Sequence, residues 1–156
     1  MVGGTVRTVG ALLLDSSDHV LLGLRADWKN TWPECWDCIG GHLEAGETLA
    51  GALSREVQEE IGVRPTAYSL LGAVPEQRPD LYGDALHHIF LVTAWDGGPP
   101  ENTSDEHSEI RWFEIGGIAA LNNLADRDYG RLIKSVRNAA RSLRTAQRRE
   151  QKTPTS

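Results

Sequence analysis

The stretch SREVQEEIGV, Ser54 to Val63, decides how this chain is read. Advancing about 100° per residue from Leu49 along a helix gathers Leu49, Ala52 and Leu53 on one face. Glu56, Glu59 and Glu60 continue that face, while Arg55 and Gln58 point elsewhere. An apolar stripe therefore turns acidic halfway along, still aimed at the body of the protein. The helix is predicted from Thr48 to Ile61, with Thr48 as N-cap and Gly62 ending it in a left-handed conformation.

Three carboxylates at that spacing are costly. Residues three and four apart hold their Cβ atoms about 5–6 Å from each other. At an effective dielectric near 20, two charges so placed repel by roughly 3 kcal/mol. Protons or cations must sit among them. Oxygen ligands on one helical face suit Mg²⁺ or Mn²⁺, and Mg²⁺ commonly completes its shell with water and substrate phosphate. The common fate of a run such as REVQEE is a solvated face, but sharing a side with Leu49 and Leu53 argues against it. The preceding GGHLEAGE places Gly40, Gly41 and Gly46 at a turn where backbone can approach a ligand closely.

Outward from this helix, TVRTVGALLLD and HVLLGLRA read as strands joined at Ser16-Ser17-Asp18. A Trp- and Gly-rich loop follows, with a short strand near Trp36 to Ile39. AYSLLGAV, HHIFLVTAW and EIRWFEI are further strands. The last helix aligns Tyr129, Leu132, Ile133, Val136, Ala140 and Leu143 on one face, against Arg131, Lys134, Arg137, Arg141 and Arg144. Strands interrupted by one helix and closed by another predict an α/β fold, a mixed sheet packed between helices. One domain spans 1–147, and 148–156 is expected to be a disordered tail.

With 40% hydrophobic and 24% charged residues, the composition is that of a soluble globular chain. A net charge of −6 speaks against a general nucleic-acid binder, though not against nucleotide substrates, because a bound cation reverses the local field. No apolar run approaches the roughly 20 residues of a membrane span. The N-terminus lacks a signal-peptide pattern, and two cysteines make no disulfide framework. A cytoplasmic location is the expectation.

Taken together, Gly41, five residues, Glu47, seven residues, then Arg55-Glu56-Val57-Gln58-Glu59-Glu60-Ile61-Gly62-Val63 form a fixed pattern. It resembles the Nudix box of the Nudix hydrolase family, with every fixed position filled. Weaker likeness extends outward through GALLLD, VLLGLRA, WDGGPPEN and EIRWFEI. The resemblance implies the Nudix fold, an α/β/α sandwich, and metal-dependent hydrolysis of a nucleoside diphosphate linked to another group. It implies Mg²⁺ or Mn²⁺ held by Glu56, Glu59, Glu60 and the Gly40 carbonyl, with Arg55 and Glu47 holding loop and helix in register. It also allows a homodimer. MutT-like action on (deoxy)nucleoside triphosphates, oxidised ones included, is the expected activity, with ADP-ribose or dinucleotides as the alternative substrates.

The water-activating base is expected among a box glutamate, Glu106, Glu109 and Glu76, with Glu106 preferred. Trp28, Trp32 and Trp36 crowd the loop beside the site, and Trp28 and Trp32 are candidates to stack on a nucleobase. A strand sends one of His87 and His88 to each side of a sheet, and His88 is taken as the substrate-facing candidate. CWDC, Cys35 to Cys38, has too few partners for zinc and the wrong setting for a redox pair, so it is read as packing. TWPECWDC and the following GGH also resemble isopentenyl-diphosphate isomerases, but those carry a catalytic cysteine where this chain has Gly40. A non-catalytic nucleotide sensor is a third reading, which the intact box disfavours.

Overall fold

The computed structural model describes residues 5–152, apart from the side chains of residues 130, 133, 134, 137 and 139. Strand β1 (Val6–Leu14) is the hub of the sheet. It pairs in parallel with β6 (Ala85–Asp96) on one edge and antiparallel with β2 (His19–Arg25) and β4 (Ile39–His42) on the other. β1 and β2 touch only at Leu13–Leu21 and Leu14–Val20, then splay apart. Into that gap runs the chain from Trp36 to His42, first as β3 (Trp36–Asp37) on β2, then as β4 on β1. The single short strand expected near Trp36 to Ile39 is thus two, changing partners at Cys38. β5 (Arg64–Pro75) flanks β6, and β7 (His107–Glu114) flanks β2.

Alternation along β1 divides the core. Val9, Ala11 and Leu13 face one layer with Leu53, Val57 and Ile61 of α1 (Leu49–Ile61). Leu12 and Leu14 face the other with Leu132, Val136 and Ala140 of α4 (Tyr129–Lys152). The architecture is therefore an α/β/α sandwich around a mixed sheet. Two short helices, α2 (Pro79–Tyr82) and α3 (Ile115–Ile118), were not legible in the periodicity. Each fully buried Leu, Ile or Val contributes about 1.5–3 kcal/mol, so this double core holds the sheet's rim in place.

α1 begins and ends as expected. The Thr48 hydroxyl accepts the Gly51 amide, and Gly62, at φ 74°, donates its amide to Gln58. The tail expectation needs correction: α4 continues through 148–152, while 153–156 lie outside the described residues. An amphipathic pattern that packs Val136 and Ala140 carries the helix on past the last buried turn. Of the expected α4 pattern, the side chains of Ile133, Lys134 and Arg137 are outside the described set. Among the described residues, no helix is long and apolar enough to cross a membrane.

Candidate active site

Two turns of α1 bring its acidic residues to the splay between β1 and β2. Glu56 and Glu60 are buried, at 8% and 2% exposure, but the Glu59 side chain is 60% exposed. The single acidic stripe needs that correction. Relative to Leu53, Glu60 is about 20° round the helix and Glu56 about 60°, while Glu59 is about 120° away and faces solvent.

Gly41 faces this helix so closely that a Cβ there would lie 2.6 Å from a Glu56 carboxylate oxygen. At Gly40 a Cβ would lie 1.9 Å from the Val9 carbonyl oxygen. Only glycine fits at position 40, and a side chain at 41 would push the Glu56 carboxylate aside. A catalytic cysteine at position 40, as in the isomerases, has no room.

Arg55 ties the loop to the helix. Its Nε and Nη2 donate to the two oxygens of Glu47 at 2.9 and 2.8 Å, and Nη2 also reaches the His42 carbonyl at 3.1 Å. Nη1 donates to Glu56 at 2.9 Å and to Glu59 at 3.4 Å. This forked contact with the guanidinium, aided by the Glu44 amide, holds the Glu47 carboxyl down to about 2. For Glu56, burial raises the pKa and Arg55 opposes it.

Glu60 is the uncompensated member. Neither of its carboxylate oxygens has a hydrogen-bond donor, and its pKa is pushed up to about 10. Burial is the main cause, followed by the neighbouring carboxyl of Glu106; the Gly40 backbone pulls the other way. Glu106 is lowered by the neighbouring Glu60 carboxyl, and then by Lys29, whose Nζ lies 3.4 Å away. His107 is buried beside them, its Nδ1 3.9 Å from Glu60 and without a partner. Burial also lowers the His107 pKa, so this histidine supplies no positive charge.

A strap carries Glu106 to this place. The Glu101 amide donates to the Ile61 carbonyl at 3.1 Å, and Thr103 donates its amide to Glu60 and its hydroxyl to Glu59, each at 3.0 Å. The last turn of α1, whose carbonyls have no helical partner, is thereby fastened to the loop bearing Glu106.

Among the described residues, no three His, Cys, Asp or Glu side chains already form a closed metal cage. The donor set nevertheless fits a hard cation. Glu60 is buried and ionisable, and it lacks a donor beside Glu56 and the Gly40 backbone. Magnesium sites of this open type leave positions for water and phosphate.

These groups line one side of a cavity of about 520 Å³, a size suited to a small ligand. A second group lines the rest. Trp32 donates its indole N–H to both oxygens of Glu76 at 3.1 and 3.2 Å and lies 5.4 Å from the Tyr82 ring. His87 lies 3.5 Å from Glu76 and 2.6 Å from the Thr8 hydroxyl. Glu76 is thus held by Trp32 and the Arg78 amide, away from the glutamates of α1.

Of the sequence candidates, the structure brings together Gly40, Gly41, Glu56, Glu60 and Glu106, with Trp28 and Trp32 on the cavity wall and Glu59 outside its lining. Trp36 is core, edge-on to Phe113. Glu109 is paired with Arg111 outside the cavity. His88 does not line the cavity; it shares the Val9 side of the sheet and receives Arg7 at 3.4 Å. Its neighbour His87 takes the cavity position, because strand parity fixes that only one of the two can. Sequence reasoning missed Lys29, Asp37, His107, Asp126 and Tyr129. Lys29 carried a signal, as the one cation in DWKNTW beside the proposed site.

A model of the NUDIX domain matches residues 4–134. An ADP-ribose pyrophosphatase from Methanocaldococcus jannaschii is 28% identical over 109 residues, covering 70% of this chain and 62% of that protein. An isopentenyl-diphosphate Delta-isomerase from Leifsonia xyli is 33% identical over 110 residues, covering 65% and 58%. The chain therefore spans about three fifths of the length of these curated relatives. In three dimensions it resembles a MutT protein from Methanosarcina mazei with a TM-score of 0.75 and 21% identity, covering 88% of this chain and 96% of that one. With the family model spanning most of its length and the box seated on α1 as described, this chain belongs to the Nudix family.

Proposed function

We propose that this chain hydrolyses the diphosphate linkage of a nucleoside diphosphate derivative, with (deoxy)nucleoside triphosphates, oxidised ones included, as the preferred substrates. The observation that carries the reading is Glu60: a buried carboxylate with no donor for either oxygen, beside Glu56, Glu106 and the Gly40 backbone. Such a group stays buried by keeping its proton or by gaining a positive charge beside it. A bound Mg²⁺ or Mn²⁺ would supply that charge, screen the phosphates and polarise a phosphoryl oxygen. Glu56, Glu60 and the Gly40 carbonyl would hold it, with Glu59 reaching in from outside the cavity lining.

Glu106 is the base. Lys29, 3.4 Å away, favours its ionised form. As the oxygen of a water molecule forms its bond to phosphorus, Glu106 takes the water proton, and the bond from phosphorus to the bridging oxygen breaks. The departing phosphate keeps that oxygen and its electron pair. Lys29 orients Glu106 and offsets charge on the phosphates, and Arg55 keeps Glu56 in place while Glu47 keeps Arg55. Trp28 and Trp32 offer flat faces to a base.

The test is a panel of nucleoside triphosphates, oxidised triphosphates, ADP-ribose and dinucleotides incubated with Mg²⁺ or Mn²⁺. Release of pyrophosphate or a monophosphate from triphosphates is expected, and EDTA should abolish it. Preference for ADP-ribose would move the assignment to the alternative substrate, as in the archaeal relative. Turnover of none of them, with isomerisation of isopentenyl diphosphate instead, would overturn the reading.

A further inference from the structure

Among the described residues, the buried side-chain atoms without a hydrogen-bond partner are Thr93 Oγ1, both carboxylate oxygens of Glu60, and Nδ1 of His107. All but the first meet at one point. His107 Nδ1 lies 3.9 Å from Glu60 Oε2, and the two side chains are 4% and 2% exposed. Groups that fold normally pairs with a donor or acceptor are here left facing each other. Hydrolysis as proposed above uses Glu60 and leaves His107 idle.

Two irregularities bring this ring to the site. The β2–β7 ladder slips by one residue between Leu24–Glu109 and Arg25–His107, so Ser108 falls out of the pairing. That bulge turns His107 to the face of β7 that carries Ile110 and Trp112, the face packed with α1. An unbroken strand would send Ser108 there instead. Across the ladder, Gly23 leaves the room: a Cβ at that position would lie 2.4 Å from His107 Cδ2. The Asn102 side chain then fixes the backbone by donating to the His107 carbonyl at 2.8 Å.

The neighbouring cations are committed elsewhere. Arg25 serves Thr31 and Asp37, and Lys29 serves Glu106. Once its proton is displaced, Glu60 can only accept hydrogen bonds. A neutral imidazole carries one N–H, and the nitrogen turned to Glu60 is Nδ1. A shift of about 1 Å in the Glu60 side chain brings the two within bonding distance.

We propose that His107 is a positioning residue that donates its Nδ1–H to the ionised Glu60 and so aims that carboxylate at a bound divalent cation. The assignment rests on the metal reading above. Outer partners of this kind commonly hold about 10–100-fold in metal affinity.

Calorimetric titration with Mn²⁺ alone, without nucleotide, tests this. His107→Phe should weaken binding by about tenfold or more. His107→Asn, whose amide nitrogen can stand where Nδ1 stands, should recover most of that loss. Nitrogen NMR of the wild type, ¹⁵N-labelled at histidine and saturated with Mg²⁺, should show a proton on Nδ1 of His107. An Nδ1 without a proton in that spectrum would overturn the assignment, even if both variants failed to fold. So would wild-type affinity in folded His107→Phe, or an equal loss in the Phe and Asn variants. Those outcomes sink His107 alone. Absence of Mn²⁺ and Mg²⁺ binding in the wild type sinks the metal reading with it.

Discussion

The two long helices pack on opposite faces of one sheet, yet they obey different rules. α4 keeps to pattern: Leu132, Val136 and Ala140 face inward, and Arg131, Arg141 and Arg148 are exposed. α1 starts the same way with Ala52 and Leu53, then buries Glu56 and Glu60 where α4 would have leucines. A regular stripe is what the core asks of a helix. A carboxylate in that stripe raises the free energy of folding, and both of these line the cavity. The contrast separates scaffold from chemistry within one fold.

The largest expected effect breaks the exception on α1. Glu60→Gln keeps the shape and removes the charge, so turnover with Mg²⁺ should fall by about 10²-fold or more, measured as initial rate at saturating metal. Retention of activity would mean that the acidic turn is not the site.

The same residue gives the second effect, on stability. The folded protein holds the Glu60 proton between the ordinary 4.5 and about 10, a window in which the unfolded chain has released it. Stability without divalent cation is fully present below the lower value and falls as pH rises through that window. Melting in EDTA from about pH 5 to about pH 9 should show this decline. Glu60→Gln should flatten it, and Mg²⁺ should raise the melting temperature of the wild type at the alkaline end.

On the regular helix the outcome reverses. Val136→Ala removes two buried methyl groups and should cost on the order of 2 kcal/mol in urea unfolding, with turnover per folded molecule unchanged. Smallest of all, Arg141→Ala on the exposed face of α4 should stay within about 0.5 kcal/mol of wild type. A larger loss there would show that α4 is more than scaffold.

Much of this was readable beforehand, for local reasons. Thr48, the apolar residues of α1 and Gly62 signal one helix through contacts a few residues long, and periodicity alone placed Glu56 and Glu60 inward. The exposure of Glu59 was not readable, because at 120° from Leu53 its fate depends on how far the sheet edge extends. Choosing between His87 and His88 needed the β1–β6 register, in which Thr8 opposes His87 and Val9 opposes His88. Asp126 was invisible because its place depends on Trp36 pairing with a segment nearly ninety residues away. Non-local pairing of this kind leaves no trace in composition or spacing.

The strap from Glu101 to Thr103 has a mechanical consequence. It clasps the carbonyls of Glu59, Glu60 and Ile61, so the loop bearing Glu106 and the last turn of α1 travel as one body. Thermal drift of the loop cannot widen the space between them without unhooking three bonds, and alignment survives in a segment that belongs to no strand or helix.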